Sequence, residues 1–404
     1  MSETQPAAGT ISPPPDGPGL ASAVPRLGTE TAFSVLAHAK ALERAGRDII
    51  HLEIGEPDFE TPPHIVDAAI AAMRAGETHY CPSAGIPEFR AVIADVLSRT
   101  RDVPIPAERV LVGNGAKPFL FFMVLAVCDA GDEVIYPDPG FPIYESAIRW
   151  AGGTPVPLPI REETDFSFAV DDLAERLSER TKLVILNSPN NPTGGVSSAS
   201  DLAAAAELIL STRAWVLSDE VYSRILYGDE FASIASEPGM LERTLVLDGL
   251  SKTHAMTGWR CGYAAVPEPL VETITRFFVN STSCVPPFIQ YAGIAAVTGP
   301  QDHVDAMVEE FRARRDLVVD GLEALPGISC RMPRGAFYAF PNVSEVPLPP
   351  QVLADRLLDE AGVAVLAGAA FGSAGERHLR LSYANSRENL AAALERVERF
   401  LAGL

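Results

Sequence analysis

Five short apolar segments, separated by longer helix-like stretches, limit what this chain can fold into more than any other feature. They lie between about residues 60 and 265 and are Arg109–Val112, Glu133–Tyr136, Leu183–Leu186, Trp215–Leu217 and Thr244–Leu247. Strands that alternate with helices need crossover connections, which predicts a mainly parallel sheet. The segments are almost continuously apolar rather than alternating, as is typical of a sheet that helices cover on both faces.

Each of these segments is followed by an unusual polar or glycine-rich loop. The loops are GNGAK at 113–117, PDPGF at 137–141, NSPNNPTG at 187–194, SDEVY at 218–222 and DGLSK at 248–252. In open parallel sheets, ligands bind in the crevice beyond the carboxyl ends of the strands. Five such loops at one edge of the sheet therefore predict one shared site.

The remainder of the chain indicates a tail and a second domain. Residues 1–25 carry six prolines and no periodicity, which predicts a disordered tail. Amphipathic helices are predicted at about Thr31–Arg44 and in the residues after Pro300. Shorter strands are predicted around Gly335–Phe340, Val363–Leu366 and His378–Ser382.

These patterns predict an α/β fold with two domains. A large domain at 60–298 would hold the mainly parallel sheet between helices, and it would contain the site. A smaller α+β domain would follow at 299–404, and the segment 26–59 would join this small domain. A chain of 404 residues is longer than one hydrophobic core usually organises.

The charge balance and the cysteines limit the partners and the compartment. With 53 acidic residues against 32 Lys and Arg, the net charge is −21, which argues against nucleic acid and anionic membranes as partners. The longest purely apolar run, Phe119–Cys128, is too short to span a bilayer. The five cysteines are scattered without a CxxC pair, so we expect no disulfide framework and no metal site. With no basic or apolar targeting pattern at the start, the expected location is the cytoplasm.

Lys252 and Asp219 are the two residues in these loops with the most specific chemistry. Each has an ordinary alternative, because Lys252 can be a solvated loop lysine and Asp219 can cap a helix. A lysine that forms a Schiff base and an acid that pairs with a pyridinium nitrogen are together what pyridoxal phosphate (PLP) requires.

The stretch SKTHAMTGWRCGY at 251–263 resembles the lysine signature of the class I/II, aspartate aminotransferase-like enzymes of PLP fold type I. Other motifs of that family occur in the same order: NGAK, a proline-rich aromatic loop, NNPTG, DEVY and HLRLSYA. The similarity runs from about Arg26 to the C-terminus. It implies a PLP-dependent aminotransferase that moves an amino group from an L-amino acid to a 2-oxo acid by a ping-pong mechanism.

The resemblance assigns the catalytic residues and those that hold the cofactor ring. Lys252 would form the Schiff base with PLP and then move the proton at the substrate Cα. Asp219 would keep the pyridine nitrogen protonated. Asn191 and Tyr222 would bond the phenolic oxygen, and Phe141 would stack on the ring.

The resemblance also assigns the residues that hold phosphate. The backbone N–H groups of Gly115, Ala116 and Lys117 would bind it together with two side chains, those of Ser251 and Arg260. Tyr80 matches a tyrosine that reaches the phosphate of the neighbouring subunit, which implies a homodimer with composite sites.

Substrate recognition is implied for three residues. Arg380 would bind the substrate α-carboxylate through a bidentate fork, beside Gly55 and Asn191. Lys117 slightly favours an aspartate or glutamate donor. Three alternatives stay open: a C–S β-lyase, an aromatic or alanine-type aminotransferase, and a binding protein that keeps the fold without turnover. The sequence leaves the amino donor, the acceptor and the pathway unassigned.

Overall fold

The computed structural model describes residues 19–404. The predicted tail at 1–25 lies mostly outside the described residues; from 19 onward the chain forms a turn and a short 3₁₀ helix at Val24–Arg26. The α-helices of the described part are α1 Thr31–Arg44, α2 Pro63–Arg74, α3 Pro87–Arg101, α4 Lys117–Val127, α5 Ile143–Ala151, α6 Val170–Arg176, α7 Ala199–Leu210, α8 Leu250–Thr253, α9 Glu268–Ser281, α10 Pro287–Thr298, α11 Asp302–Glu323, α12 Pro350–Arg356 and α13 Arg387–Leu401. The strands are β1 Ile50–His51, β2 Val110–Gly113, β3 Glu133–Asp138, β4 Thr154–Pro159, β5 Thr181–Asn187, β6 Trp215–Asp219, β7 Thr244–Gly249, β8 Gly262–Ala265, β9 Tyr338–Ala339, β10 Val363–Ala364, β11 Leu366–Ala367 and β12 Leu379–Ser382.

The central sheet has seven strands in the order β2-β8-β7-β6-β5-β3-β4. Four of its neighbouring pairs are parallel, and only β8 runs antiparallel to its neighbours β2 and β7. All five predicted segments form strands of this sheet, and the predicted α/β fold with a mainly parallel sheet is confirmed. The carboxyl ends of β2, β3, β5, β6 and β7 therefore lie at one edge.

Two strands of the sheet were not predicted from the sequence. The edge strand β4 contains three prolines, which cannot donate hydrogen bonds to a sheet and are tolerated at an edge. The strand β8 consists of Gly262, Tyr263 and two alanines, a composition without a strong strand preference. It is nevertheless buried at every residue, because it lies between β2 and β7.

Apolar side chains cover both faces of the sheet. On one face, buried side chains of α4, α5 and α9 pack against Leu111, Leu183 and Leu217. On the other face, helices α2, α3 and α10 pack against Val110, Val112 and neighbouring strands. Helix α7 packs on strands β5 and β6. This double cover explains why the strands are continuously apolar, and it leaves the loops at the carboxyl edge as the accessible part.

The C-terminal part, together with β1, forms two small sheets with helices against them. One sheet pairs β1 with β10 in parallel, and the other has the antiparallel order β11-β12-β9. Their core is continuous with buried residues of α11, α12 and α13. The strand predicted at Val363–Leu366 is divided between β10 and β11, and the one predicted at Gly335–Phe340 is shortened to β9. The domain boundaries given above stay predictions.

Among residues 19–404, no helix combines the length and the apolar character that crossing a membrane requires.

A buried ionic cluster connects helix α3 to the carboxyl ends of β6 and β7. Arg101, the last residue of α3, donates from Nε to Glu220 Oε2 at 2.8 Å and from Nη2 to Asp248 Oδ2 at 2.6 Å. Its Nη2 also donates to Ser223 Oγ at 3.1 Å. The Glu220 carboxylate accepts further bonds from Ser218 and Ser233. One cation thus stabilises two carboxylates that water does not reach.

Replacement of Arg101 by Met is expected to lower the free energy of unfolding by about 3–5 kcal/mol, since two buried carboxylates lose their counter-charge. Denaturant titration followed by circular dichroism measures this. The control is Arg99→Met on the same helix, where the ion pair with Asp95 is exposed and its loss should change stability little. Equal stability of the two variants would contradict the importance of the buried cluster.

Candidate active site

A cavity of about 460 Å³ lies beyond the carboxyl edge of the central sheet. Its wall combines loops of this sheet with the segment before and within α1, the residues after β1, and strands β9 and β12. The predicted residues in the wall are Gly55, Ala116, Lys117, Phe141, Asn191, Asp219, Tyr222, Ser251, Lys252, Arg260 and Arg380. Of the other predicted residues, Gly115 lies directly behind the wall beside Arg260, whereas Tyr80 is not part of it.

Lys252 lies on the single helical turn α8, directly after β7, and its amine points into the cavity. Its Nζ donates a hydrogen bond to the backbone oxygen of Gly55 at 2.5 Å. Burial lowers the pKa of the Lys252 amine to about 8; Glu56 opposes this, while Arg380 and other nearby cations add to it. The amine therefore loses its proton at a lower pH than an ordinary lysine, around pH 8, and can then act as a nucleophile or a base.

Asp219 ends strand β6 and carries the buried carboxylate of the site. Burial raises the pKa of this carboxyl to about 6, and a hydrogen bond that the Tyr144 hydroxyl donates to Oδ2 at 2.6 Å acts in the opposite direction. Sequence reasoning missed Tyr144. It lies in the first turn of α5, with its ring centre 5.8 Å from that of Phe141, and no motif of the sequence singles it out.

Tyr338 of β9 is a second residue that sequence reasoning missed. Its hydroxyl lies 2.8 Å from that of Tyr222, and a Cβ on Gly55 would lie only 1.9 Å from the same hydroxyl oxygen. Gly55 is therefore required by the close approach of this ring. No local pattern around Tyr338 indicates its role, because the small sheet brings it to the cavity from far along the chain.

Arg380 lies on the middle strand of the β11-β12-β9 sheet and is only 4% exposed. Its guanidinium is located 4.7 Å from the ring centres of both Tyr338 and Phe371. It donates to Asn191 Oδ1 at 3.3 Å and to the backbone oxygen of Glu53, whereas Nε has no partner within the described residues. A fixed, incompletely bonded guanidinium in a cavity wall is suited to a carboxylate.

The loop between β2 and α4 approaches Arg260 closely. Gly115 has a φ of +86°, and a Cβ there would lie 2.4 Å from Arg260 Nη2. A Cβ on Gly262 would lie 2.4 Å from the carbonyl carbon of Gly115. Because α4 begins at Lys117, free N–H groups of its first turn and the Arg260 guanidinium are available together, which suits a phosphate group.

Three residues of the N-terminal segment also line the cavity: Glu30, Ala32 and Phe33. The Glu30 carboxylate accepts a hydrogen bond from the Lys117 amine, which also lies 5.4 Å from the ring centre of Phe141. Sequence reasoning missed Glu30, since a single acid before a helix has no distinguishing pattern. In the part of the chain that the structure covers, no group of three or more His, Cys, Asp or Glu residues is arranged to hold a metal ion.

Comparison with known proteins agrees with this arrangement. The family model described as "Aminotransferase class I and II" matches residues 47–397. A probable aspartate/prephenate aminotransferase from Aquifex aeolicus is 41% identical over 390 residues, with 95% of this chain and 98% of the relative covered. An aspartate aminotransferase from Geobacillus stearothermophilus is 39% identical over 389 residues, with 95% and 98% covered.

A solved structure shows the same fold over nearly the whole chain. The crystal structure of the aspartate aminotransferase from Rhizobium meliloti has a TM-score of 0.91 to this chain at 37% sequence identity. The superposition covers 96% of this chain and 99% of the other. The family resemblance, the transaminase class and the cofactor expected from the sequence are thereby confirmed: this chain belongs to the class I and II aminotransferase family and is a PLP-dependent transaminase.

Proposed function

We propose that this enzyme transfers the amino group of a dicarboxylic L-amino acid, aspartate or glutamate, to a 2-oxo acid. The observation that carries the proposal is the Lys117 amine in the cavity wall, paired with Glu30 and separate from the Arg380 guanidinium. Two cations at separate positions suit the two carboxylates of such a donor. The names of the similar proteins, aspartate aminotransferases among them, support the same donor class.

Lys252 is the residue that binds the cofactor and moves the substrate proton in this proposal. PLP, when bound, supplies an aldehyde carbon for the amino group and a ring that withdraws electrons. The Lys252 amine can take a proton from the substrate Cα because its pKa is lowered to about 8. Its bond to the Gly55 oxygen orients the free amine within the cavity.

Asp219 supplies the negative charge for the ring nitrogen. A raised pKa of about 6 means that this carboxylate is costly to bury alone, and a ring cation beside it would reduce that cost. The Tyr144 hydroxyl holds the carboxylate in one orientation. Asn191 and Tyr222 are proposed to bond the phenolic oxygen, and Phe141 is proposed to stack on the ring.

The loop at Gly115 and the Arg260 guanidinium are proposed to hold the phosphate, with the N–H groups of Ala116 and Lys117 and the Ser251 hydroxyl. The close contacts at Gly115 support a cradle in which backbone, rather than a side chain, faces the anion. Arg380, with Gly55 and Asn191 beside it, is proposed to bind the α-carboxylate of the substrate.

Tyr80 supports a homodimer with composite sites. Its side chain is 90% exposed, unusual for an aromatic ring, and it does not line the cavity of its own chain. We propose that it reaches the phosphate of a second copy. A cytoplasmic location is part of the same proposal, in keeping with five free cysteines.

Borohydride treatment of the yellow holoenzyme is expected to attach the cofactor irreversibly to Lys252. The chain has four lysines, Lys40, Lys117, Lys182 and Lys252, so peptide mass spectrometry distinguishes them. Because trypsin does not cut at a modified lysine, the label should appear on peptide 244–260. The Lys182→Arg enzyme should keep the label and Lys252→Arg should lose it; label on another lysine would refute the assignment.

Replacement of Lys117 by Gln is expected to lower kcat/KM for aspartate by about tenfold to hundredfold, the loss of one charged hydrogen bond. Activity with alanine should change little, because alanine has no second carboxylate. The matched variant is Glu30→Gln, which frees the Lys117 amine and should lower KM for aspartate. Equal losses for both donors in Lys117→Gln would instead favour a role of Lys117 towards the cofactor alone.

Replacement of Tyr144 by Phe is expected to raise the pKa of Asp219, since the carboxylate loses a hydrogen bond that stabilises its charged form. The acid limb of the kcat/KM profile should therefore move to higher pH, with the larger loss at pH 6 and recovery near pH 8.5. The control is Tyr227→Phe, whose buried hydroxyl donates to the Ala336 oxygen instead. A uniform loss across all pH values would show that Tyr144 does not act through Asp219.

A further inference from the structure

Three titratable side chains, those of Glu43, His51 and Glu53, form a line from the surface to the backbone oxygen that accepts a hydrogen bond from Arg380. Glu43 of α1 accepts from His51 Nε2 at 3.1 Å, and the other ring nitrogen, Nδ1, lies 2.8 Å from Glu53 Oε1. The backbone oxygen of Glu53 accepts a hydrogen bond from Arg380 Nη2. The line is therefore continuous from an exposed helix to the guanidinium in the cavity wall.

Glu53 is the unusual member of this line. Its side chain is fully buried, and its Oε2 atom has no hydrogen-bond partner within the described residues. A buried carboxylate with an unbonded oxygen is costly unless positive charge lies nearby. Two groups supply such charge: the Arg380 guanidinium, whose charged form Glu53 favours, and the His51 imidazole when it carries a proton.

The charges around His51 come from two carboxylates. Glu53 lies two residues after His51, just beyond the end of β1. Glu43 faces His51 from α1 and also pairs with Lys40. The neighbouring strand β10 contributes the apolar residues Val363 and Ala364. From the loop before α13, the neutral amide of Asn385 donates to the His51 backbone oxygen.

A carboxylate that binds at Arg380 places a second anion near Glu53. With a neutral His51, one guanidinium then serves two buried anions, which repel each other. With a protonated His51, Glu53 has its own cation and the guanidinium is left for the ligand. Proton binding at His51 and carboxylate binding at Arg380 therefore favour each other, and by linkage the coupling is reciprocal.

We propose that Glu53 and His51 are positioning residues that set the affinity of Arg380 for carboxylates, and that His51 takes up a proton when a carboxylate binds. This inference rests on the proposed role of Arg380 as the carboxylate-binding residue. It adds a control of substrate affinity by pH that comes from residues outside the cavity wall.

The direction of the effect follows from the groups around the imidazole. Burial lowers the pKa of His51, but the two carboxylates raise it by more, so its pKa lies above the ordinary value. His51 is charged below that pKa, and carboxylate affinity is therefore higher at low pH. As the pH rises through the pKa, this part of the affinity is lost.

The first test measures His51 directly. Imidazole resonances of the holoenzyme, labelled at histidine and assigned with a His51→Gln enzyme, are followed against pH with and without succinate, an unreactive dicarboxylate. Succinate should raise the pKa of His51 and leave the resonances of the exposed His38 unchanged. A His51 pKa that succinate does not move overturns the proposal.

The second test measures the dissociation constant of succinate by calorimetry at pH 6 and pH 8.5. His51→Gln should match the natural enzyme at pH 8.5 and bind about fivefold more weakly at pH 6, the lower range of typical coupling between sites. Glu53→Gln should bind about fivefold more tightly at pH 8.5, since the competing anion is gone. The matched control, His38→Gln on α1, removes an exposed pair with Asp359 and should change neither value. Because the variants and the natural enzyme are compared at the same pH, titrations of other groups affect their dissociation constants equally.

The Arg380→Gln enzyme distinguishes a failure of the proposed carboxylate site from a failure of the proposed role of His51 and Glu53. If it binds succinate as tightly as the natural enzyme, or if the natural enzyme does not bind succinate, the proposed carboxylate site fails together with this inference. If Arg380→Gln loses binding while the His51 and Glu53 variants match the natural enzyme at both pH values, only the inference fails.

Discussion

Burial of the Lys252 amine is the constraint on which the rest of the site depends. A lysine kept from water among Arg380, Arg260 and Lys117 gives up its proton easily, and that property makes it useful as a base. The same grouping of cations is what we propose to hold the anionic groups of cofactor and substrate. The chain as a whole carries a net charge of −21, whereas the cavity is lined by four basic and three acidic residues, so the acidic excess of the chain lies outside the cavity.

The few acids near the cavity are each held by specific partners. Asp219 has Tyr144, Glu30 has Lys117, and Asp248 and Glu220 share Arg101 below the sheet. Asp219, Asp248 and Glu220 are satisfied within the protein and compete little with incoming anions, whereas Glu30 shares its partner, the Lys117 amine, with the proposed substrate carboxylate. The Glu53 carboxylate is the exception among the described residues near Arg380, since one of its oxygens is unbonded.

The sequence predicts the strands and site residues that have a distinctive local pattern. Strands buried on both faces must be continuously apolar, and residues such as Lys252 and Asp219 are conspicuous because they directly follow such strands. Strand β4 was missed because its prolines are acceptable only at an edge, a position that pairing decides. Tyr338 and Glu30 were missed for a related reason: each reaches the cavity through tertiary packing, and neither has an unusual neighbourhood in the sequence.

The helix α1 has one end at the cavity and the other end against the β1-β10 sheet. Glu30 immediately before it contacts Lys117, whereas Glu43 in its last turn contacts His51 of β1. A rigid helix of 14 residues is about 21 Å long, so it transmits displacement between these ends with little loss. A shift of α1 would move Glu30, the partner of Lys117 in the cavity, together with Glu43, the partner of His51 at the β1-β10 sheet. The availability of the Lys117 amine to a carboxylate and the position of His51 would then both depend on the placement of one helix.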